Sequence, residues 1–250
     1  MTIIKSGIIA FSMYSNIPMP QFEWKENDMK YALCFFPWVG AVIGLLTVAW
    51  GWFCQRFGVG RFCFTCIGTA IPLLVTGGFH VDGYMDTMDA FHSYREKEKK
   101  LEILKDAHIG AFSVIMLLLN YLIYMGAYSE IQELPRLALL GGGFFLSRTL
   151  SGLGVVCLRS AKKEGLLRWF ADRAQARTVK VVLLVQLALC LVFLVRISLP
   201  GGLLVAAASL VSFGYYRFRS YKEIGGITGD TAGFFVTVCE TAVAVAVAVL

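Results

Sequence analysis

Three aspartates and a histidine fall within ten residues of the stretch Thr76–Ala90, TGGFHVDGYMDTMDA. Asp82, Asp86 and Asp89 stand at i, i+4 and i+7. On an α-helix, at about 100° per residue, the three carboxylates occupy roughly 60° of arc. Like charges at that spacing repel, and no lysine or arginine follows until Arg95. A positive group should therefore sit among them. A divalent metal ion is the economical candidate, because hard cations take oxygen ligands. The alternative is a solvated acidic loop beside an apolar segment. The pair Gly77-Gly78, directly upstream, favours a close approach of the backbone to another group.

Other residues with chemical potential lie further along. Asp106 leads into Ala107-His108-Ile109-Gly110 and reads either as a helix-end residue or as a further ligand. The run Gly225-Gly226-Ile227-Thr228-Gly229-Asp230-Thr231 precedes the last apolar segment. Glycine-rich backbone at a helix start cradles phosphate, although Thr228 or Asp230 could equally cap that helix. Lys163 belongs to a strongly basic loop, 159–180, whose charges serve either membrane topology or an anionic substrate. Arg148 and Glu240 lie inside apolar segments, 11 residues before Arg159 and 10 after Asp230. At 1.5 Å per residue both sit roughly 15 Å deep. Charges inside a membrane are costly and normally pair or mark a site, so a shared depth predicts that these two pair.

The elements that must position these residues are membrane helices. The chain has 250 residues, 57% hydrophobic and only 16% charged, with a mean hydropathy of +0.67. A soluble domain carries about 25% charged residues. Seven apolar segments, near 31–54, 62–79, 110–128, 137–158, 179–196, 201–216 and 231–250, approach the roughly 20 residues needed to cross a bilayer. The fifth and sixth flank Pro200-Gly201-Gly202 and read as a tight helical hairpin. The predicted fold is a single all-α polytopic domain over 1–250, with short amphipathic interfacial helices in loop 80–109. In that loop Glu98 and Glu102 read as a solvated face balanced by lysines. The short apolar stretch Gly7–Met13, followed by Pro18 and Pro20, does not read as a cleavable signal.

Basic residues set the orientation. Eighteen of the 23 lysines and arginines lie in the N-terminal region and in loops 80–109, 159–180 and 217–230, and four in the intervening loops. This places the N-terminus and every charged motif on the cytoplasmic side. The net charge of +6 is thereby explained without a nucleic-acid partner. The seven cysteines fall in or beside apolar segments, so the lone Cys63-x-x-Cys66 reads as buried thiols rather than a zinc or redox site.

TGGFHVDGYMDTMDA resembles the signature of the cobalamin synthase family, the adenosylcobinamide-GDP ribazoletransferases. The resemblance extends to Asn16–Pro20, Phe36–Gly40, Lys105–Gly110, Ser147-Arg148, Lys163–Gly165 and Gly225–Thr231, so it covers essentially the whole chain. Tyr84, Met85 and Met88 stand where the family more often has leucine, alanine or small residues. The resemblance implies a magnesium-dependent enzyme of the cytoplasmic membrane. Such an enzyme joins adenosylcobinamide-GDP to α-ribazole or its 5′-phosphate and releases GMP. On that footing Asp82, Asp86 and Asp89 would hold Mg²⁺ on the diphosphate, with Asp106 or Asp230 completing the shell. His80 would act as a general base or hydrogen-bond donor, or else pack beside Phe79. Asp82 and Arg148 are candidate catalytic groups. Gly77, Gly78, Lys163, Gly226, Thr228, Gly229 and Glu240 are candidate substrate contacts. Self-association is left open. Competing readings are weaker. A CDP-alcohol phosphotransferase needs a D-x-x-D-G-x-x-A-R opening that is missing here, and a prenyl transferase uses a different aspartate spacing. A transporter sits poorly with charged motifs confined to one face and no internal repeat.

Overall fold

The computed structural model describes residues 2–161 and 175–250. The helices are α1 (Thr2–Tyr14), α2 (Glu26–Met29), α3 (Ala32–Phe57), α4 (Arg61–Thr76), α5 (Phe79–His92) and α6 (Lys97–Ile103). They continue with α7 (Ala111–Glu130), α8 (Leu134–Cys157), α9 (Ala176–Ile197), α10 (Leu199–Ile224) and α11 (Gly229–Ala248). Among the described residues there is no strand, only a parallel bridge between Ser160 and Ile227. Among the described residues six helices, α3 and α7 to α11, are long and apolar enough to cross a membrane, and the bent pair α4–α5 makes a seventh if it is counted as one span. The all-helical membrane architecture is thus as expected.

The second expected span differs. Helix α4 has 16 residues, about 24 Å of rise against a hydrocarbon core of about 30 Å. At its end the chain turns by 93° into α5. Gly77 and Gly78 make the turn, with φ of 64° and 81°. Both lie in the left-handed region that only glycine enters at little cost. The acidic motif is therefore a separate helix bent sharply away from α4, and the two together have the length and apolar character of a broken span or a re-entrant loop.

Helices α3 and α8 form the centre, and small residues explain their approach. A Cβ on Gly44 would lie 2.8 Å from the Gly141 Cα, and one on Gly40 would lie closer still to the Phe144 carbonyl. Stripes of small residues let membrane helices pack backbone to backbone. Helix α8 is buried over most of its length. Helices α7 and α9 instead turn leucine, isoleucine and valine outward, among them Leu118, Leu122, Leu189 and Val192, as lipid-facing surfaces do.

Helices α9 and α10 make the expected hairpin. Ser198 alone separates them, its hydroxyl accepting from the Gly201 amide at 3.2 Å. Helix α10 runs on to Ile224, well past the apolar run that ends near residue 216. The lysines and arginines of its last turns do not break it, because helical hydrogen bonds are indifferent to side-chain charge. In α6, Lys100 is buried and pairs with Glu223 of α10 at 2.5 Å, whereas Lys99 and Glu102 form the expected exposed pair at 2.8 Å. All seven cysteines are free thiols. Cys63 points out of the bundle and is exposed, contrary to the expected buried pair.

Candidate functional site

The site is assembled at one end of the bundle, where the chain enters or leaves α1, α4, α5, α7, α8 and α11. Helix α5 is amphipathic in the required sense. His80, Gly83, Tyr84, Thr87, Met88 and Phe91 form its buried stripe, at the three- and four-residue spacing of one helix face. Asp82, Asp86 and Asp89 lie on the other side. Asp82 is exposed and the other two are half-buried.

The buried stripe packs on α11 through two glycines. A Cβ on Gly83 would lie 2.8 Å from the Asp230 carbonyl oxygen and 3.0 Å from the Asp230 Cα. A Cβ on Gly233 would lie 2.8 Å from the His80 carbonyl oxygen. This crossing sets the Asp230 backbone against α5 between the positions of Asp82 and Asp86. Neither glycine drew notice in the sequence, because a glycine inside a helix has no signature until its neighbour is known.

The three aspartates of α5 have different surroundings. Asp82 borders an open groove of about 990 Å³, with Ser12, Asn16, Gly77, Gly78 and Phe79 among its other walls. Gly77 fits there because a Cβ would lie 2.6 Å from the Asn16 side chain, and Asn16 is itself anchored by its amide to the Val75 carbonyl at 2.8 Å. The close approach expected at Gly77 is thus to Asn16. Asp89 is engaged elsewhere. It accepts from the Gly110 amide at 2.6 Å, from the Ser113 amide at 2.9 Å and from the Ser113 hydroxyl. It caps the start of α7 from outside, an arrangement favoured by the orphan amides and the positive end of the helix dipole.

Asp106 follows α6 and accepts from the amide of His108 at 3.0 Å and from its ring nitrogen Nδ1 at 2.6 Å. The His108 amide, with help from the ring, holds this exposed carboxyl below the usual carboxylate range. Among the described residues, no group of three His, Cys, Asp or Glu side chains is disposed to hold a metal ion. Asp82 and Asp86 present carboxylate oxygens, the donor type that hard divalent cations take, while Asp230 accepts from the Thr228 hydroxyl at 3.3 Å.

The glycine-rich run before α11 is largely a structured cap. Thr228 and Thr231 cap one another, hydroxyl to amide, at 3.2 and 2.8 Å. Gly226 lies against the backbone of Arg159, where a Cβ would be 2.5 Å from the carbonyl oxygen. The Ile227 amide donates to the Arg159 carbonyl at 2.9 Å, and the Arg159 side chain returns to the Gly225 carbonyl at 2.5 and 3.2 Å. Gly229 is exposed and open. Lys163 lies outside the described residues.

Deeper in the bundle Arg148 and Glu240 pair as expected, Nη1 to Oε1 at 2.6 Å. Arg148 is 1% exposed and also donates to the Phe144 carbonyl at 3.0 Å. A cavity of about 370 Å³ runs beside them, bordered by Asn120, Tyr121, Tyr124, Thr237 and His80. His80 is buried between this cavity and the bundle end. Its ring lies near-parallel to Phe36 and Tyr14, at 5.5 and 6.4 Å, and neither ring nitrogen has a hydrogen-bond partner.

The fold and site together define a polytopic helical membrane protein that gathers carboxylates, a capped helix start and an orphaned imidazole at one end. Comparison with known proteins places it further. The sequence profile of the Cobalamin-5-phosphate synthase family matches residues 6–248, and the chain belongs to that family. It is 40% identical over 244 residues to an adenosylcobinamide-GDP ribazoletransferase of Lachnoclostridium phytofermentans, covering 96% of this chain and 92% of the relative. Proteins of the same description from Clostridium botulinum and Listeria monocytogenes are each 30% identical. They cover 95% and 92% of this chain, and 94% and 92% of their own lengths. No solved structure matches.

Proposed function

We propose that this protein is a membrane-embedded transferase that joins adenosylcobinamide-GDP to α-ribazole, or to its 5′-phosphate, with release of GMP. The observation that carries this reading is the near full-length identity of 40% to a ribazoletransferase. The exposed face of α5, with Asp82 in an open groove beside the start of α11, supplies a place for the chemistry.

The reaction is phosphoryl transfer. A ribose hydroxyl of the ribazole attacks the phosphorus on the cobinamide side, and the diphosphate P–O bond breaks. GMP leaves with the bridging oxygen, and the hydroxyl proton passes to solvent or a nearby base. The protein has little covalent work in such a step, so positioning and charge neutralisation dominate. Asp82 and Asp86, one turn apart on α5, are the residues we assign to hold Mg²⁺ together with the substrate's diphosphate; the ion when bound would neutralise diphosphate charge and polarise the phosphorus. Asp89, Asp106 and Asp230 are assigned to local structure, because each carboxylate already accepts hydrogen bonds from its own loop or from a helix start.

The excess of lysine and arginine in the N-terminal region and in alternate loops supports a cytoplasmic orientation of the site, by the positive-inside rule, and residence in the cytoplasmic membrane. Arg148 and Glu240, paired below the site, fix the relation of α8 to α11 and hence the height at which α5 lies.

The test uses purified protein in lipid with adenosylcobinamide-GDP and α-ribazole 5′-phosphate. GMP release matched by corrinoid product, abolished by EDTA and restored by Mg²⁺, is the expected result. Folded protein that yields neither product refutes the assignment.

A further inference from the structure

The cavity beside Arg148 and Glu240 gathers polar side chains among apolar helices. Its lining brings together α5 at His80, α7 at Tyr124, α8 at Arg148 and α11 at Thr237 and Glu240. Within it about 20 Å³ can hold the centre of a water-sized sphere. One water needs roughly 10–15 Å³ by that measure. The space is sized for a water and not for a ring.

Three of the lining residues carry four buried polar atoms with no hydrogen-bond partner among the described residues. They are both ring nitrogens of His80, the Tyr124 hydroxyl and Arg148 Nε. These residues are only 5%, 5% and 1% exposed. Other polar groups of the lining are committed. Arg148 Nη1 donates to Glu240 Oε1 at 2.6 Å and to the Phe144 carbonyl at 3.0 Å. The Thr237 hydroxyl donates to the carbonyls of His80 and Gly233 at 3.3 and 3.2 Å. Leaving one buried polar group unpaired is costly, and here several adjoin.

Their chemistry matches what a water offers. Arg148 Nε–H only donates, the phenol both donates and accepts, and a neutral imidazole has one N–H and one bare nitrogen. A water accepts twice and donates twice. It can accept from Arg148 Nε–H and from the Tyr124 O–H while donating to the bare nitrogen of His80. Three bonds is the usual number for a buried water.

We infer that this cavity is a hydration site among the membrane helices, whose ordered water bridges His80 to Tyr124 and Arg148. The water extends the Arg148–Glu240 pair to α5, so that four helices share one hydrogen-bonded junction. Asp82 lies two residues beyond His80, and the junction fixes the rotation of α5 that sets Asp82 at its groove. His80 is thus a positioning residue that acts through the water. The inference does not depend on the transferase reading, and its test needs no substrate.

The test uses the full chain in detergent. Tyr124→Phe keeps the ring and removes only the hydroxyl. With the water in place this substitution loses a bridging bond, nearly as favourable as a direct one. The unfolding constant should then rise about fivefold, the scale of one buried hydrogen bond. In a dry cavity the same substitution removes an unpaired buried hydroxyl, and stability should stay level or increase. The sign of the change separates the two cases. In a His80→Leu background, where the water has already lost a partner, Tyr124→Phe should change the unfolding constant by less than about twofold. Nitrogen-15 NMR of the imidazoles supplies a readout that ring packing alone would not move. The chain has three histidines, and the His80→Leu spectrum identifies the His80 signals. Those signals should show magnetisation transfer from water and should shift in Tyr124→Phe. A Tyr124→Phe protein at least as stable as wild type overturns the inference. So does an undiminished effect of Tyr124→Phe in the His80→Leu background, and so does a His80 imidazole without contact to water.

Discussion

Asp89 and Asp82 lie two turns apart on one face of α5, and the structure gives them opposite fates on mutation. Asp89 accepts two amides and a hydroxyl from the start of α7, at Gly110 and Ser113. Hydrogen bonds to a charged acceptor contribute about 1.5–3 kcal/mol each, and a helix cap about 1. These contributions overlap because they share one carboxylate, so Asp89→Ala should destabilise by about 2–4 kcal/mol. Asp89→Asn keeps an acceptor oxygen but loses the charge facing the helix dipole, and should cost about 1–2 kcal/mol. Asp82 is exposed at the wall of an open groove, so Asp82→Asn should change stability by less than about 0.5 kcal/mol. Catalysis should rank the other way. Asp82→Asn should lower kcat at least a hundredfold at saturating Mg²⁺, while Asp89→Asn should retain kcat per folded molecule within about threefold. Unfolding of purified protein in detergent, followed by helical circular dichroism, measures the first ranking. GMP release normalised to folded protein measures the second. A stable but inactive Asp89→Asn protein would refute this division of labour and return Asp89 to the metal shell.

Three further outcomes follow from the packing. Arg148→Met leaves Glu240 buried without its partner and should cost about 3–5 kcal/mol, whereas Arg148→Met combined with Glu240→Leu should recover most of that loss in a double-mutant cycle. Gly83→Ala places a Cβ 2.8 Å from the Asp230 carbonyl. The resulting strain, about 1–3 kcal/mol, must separate α5 from α11, so KM for adenosylcobinamide-GDP should rise along with the loss of stability. Gly78→Ala meets open space and should cost only the left-handed backbone term, about 1 kcal/mol. Gly77→Ala adds the approach to Asn16 and should cost more in the same denaturation assay, and equal costs would remove that contact from the account.

Much of this protein was legible along the chain. Apolar runs located the membrane helices, and the tight hairpin between the fifth and sixth segments was readable from Pro200-Gly201-Gly202. Counting residues from the basic loops put Arg148 and Glu240 at one depth, and the 2.6 Å pair bears that out. These inferences succeed because hydrophobic length and helical rise are properties of one segment at a time. Helix spacing likewise put Asp82, Asp86 and Asp89 on one face of α5.

What that face touches was decided only in three dimensions. Asp89 finds Gly110 and Ser113 across the α5–α7 connection, and Lys100 finds Glu223 from 123 residues away. The span expected at 62–79 ends at residue 76, because two adjacent left-handed glycines turn the chain by 93°. Gly83 and Gly233 acquire meaning only as a crossing, and His80 only as an imidazole enclosed by rings brought from α1 and α3. A sequence determines which faces are apolar and how deep a charge lies, since both follow from local helical geometry. Which carboxylate stays open to a ligand and which becomes a cap depends on the distance between segments far apart in the chain, and that distance is set by close packing of the whole bundle.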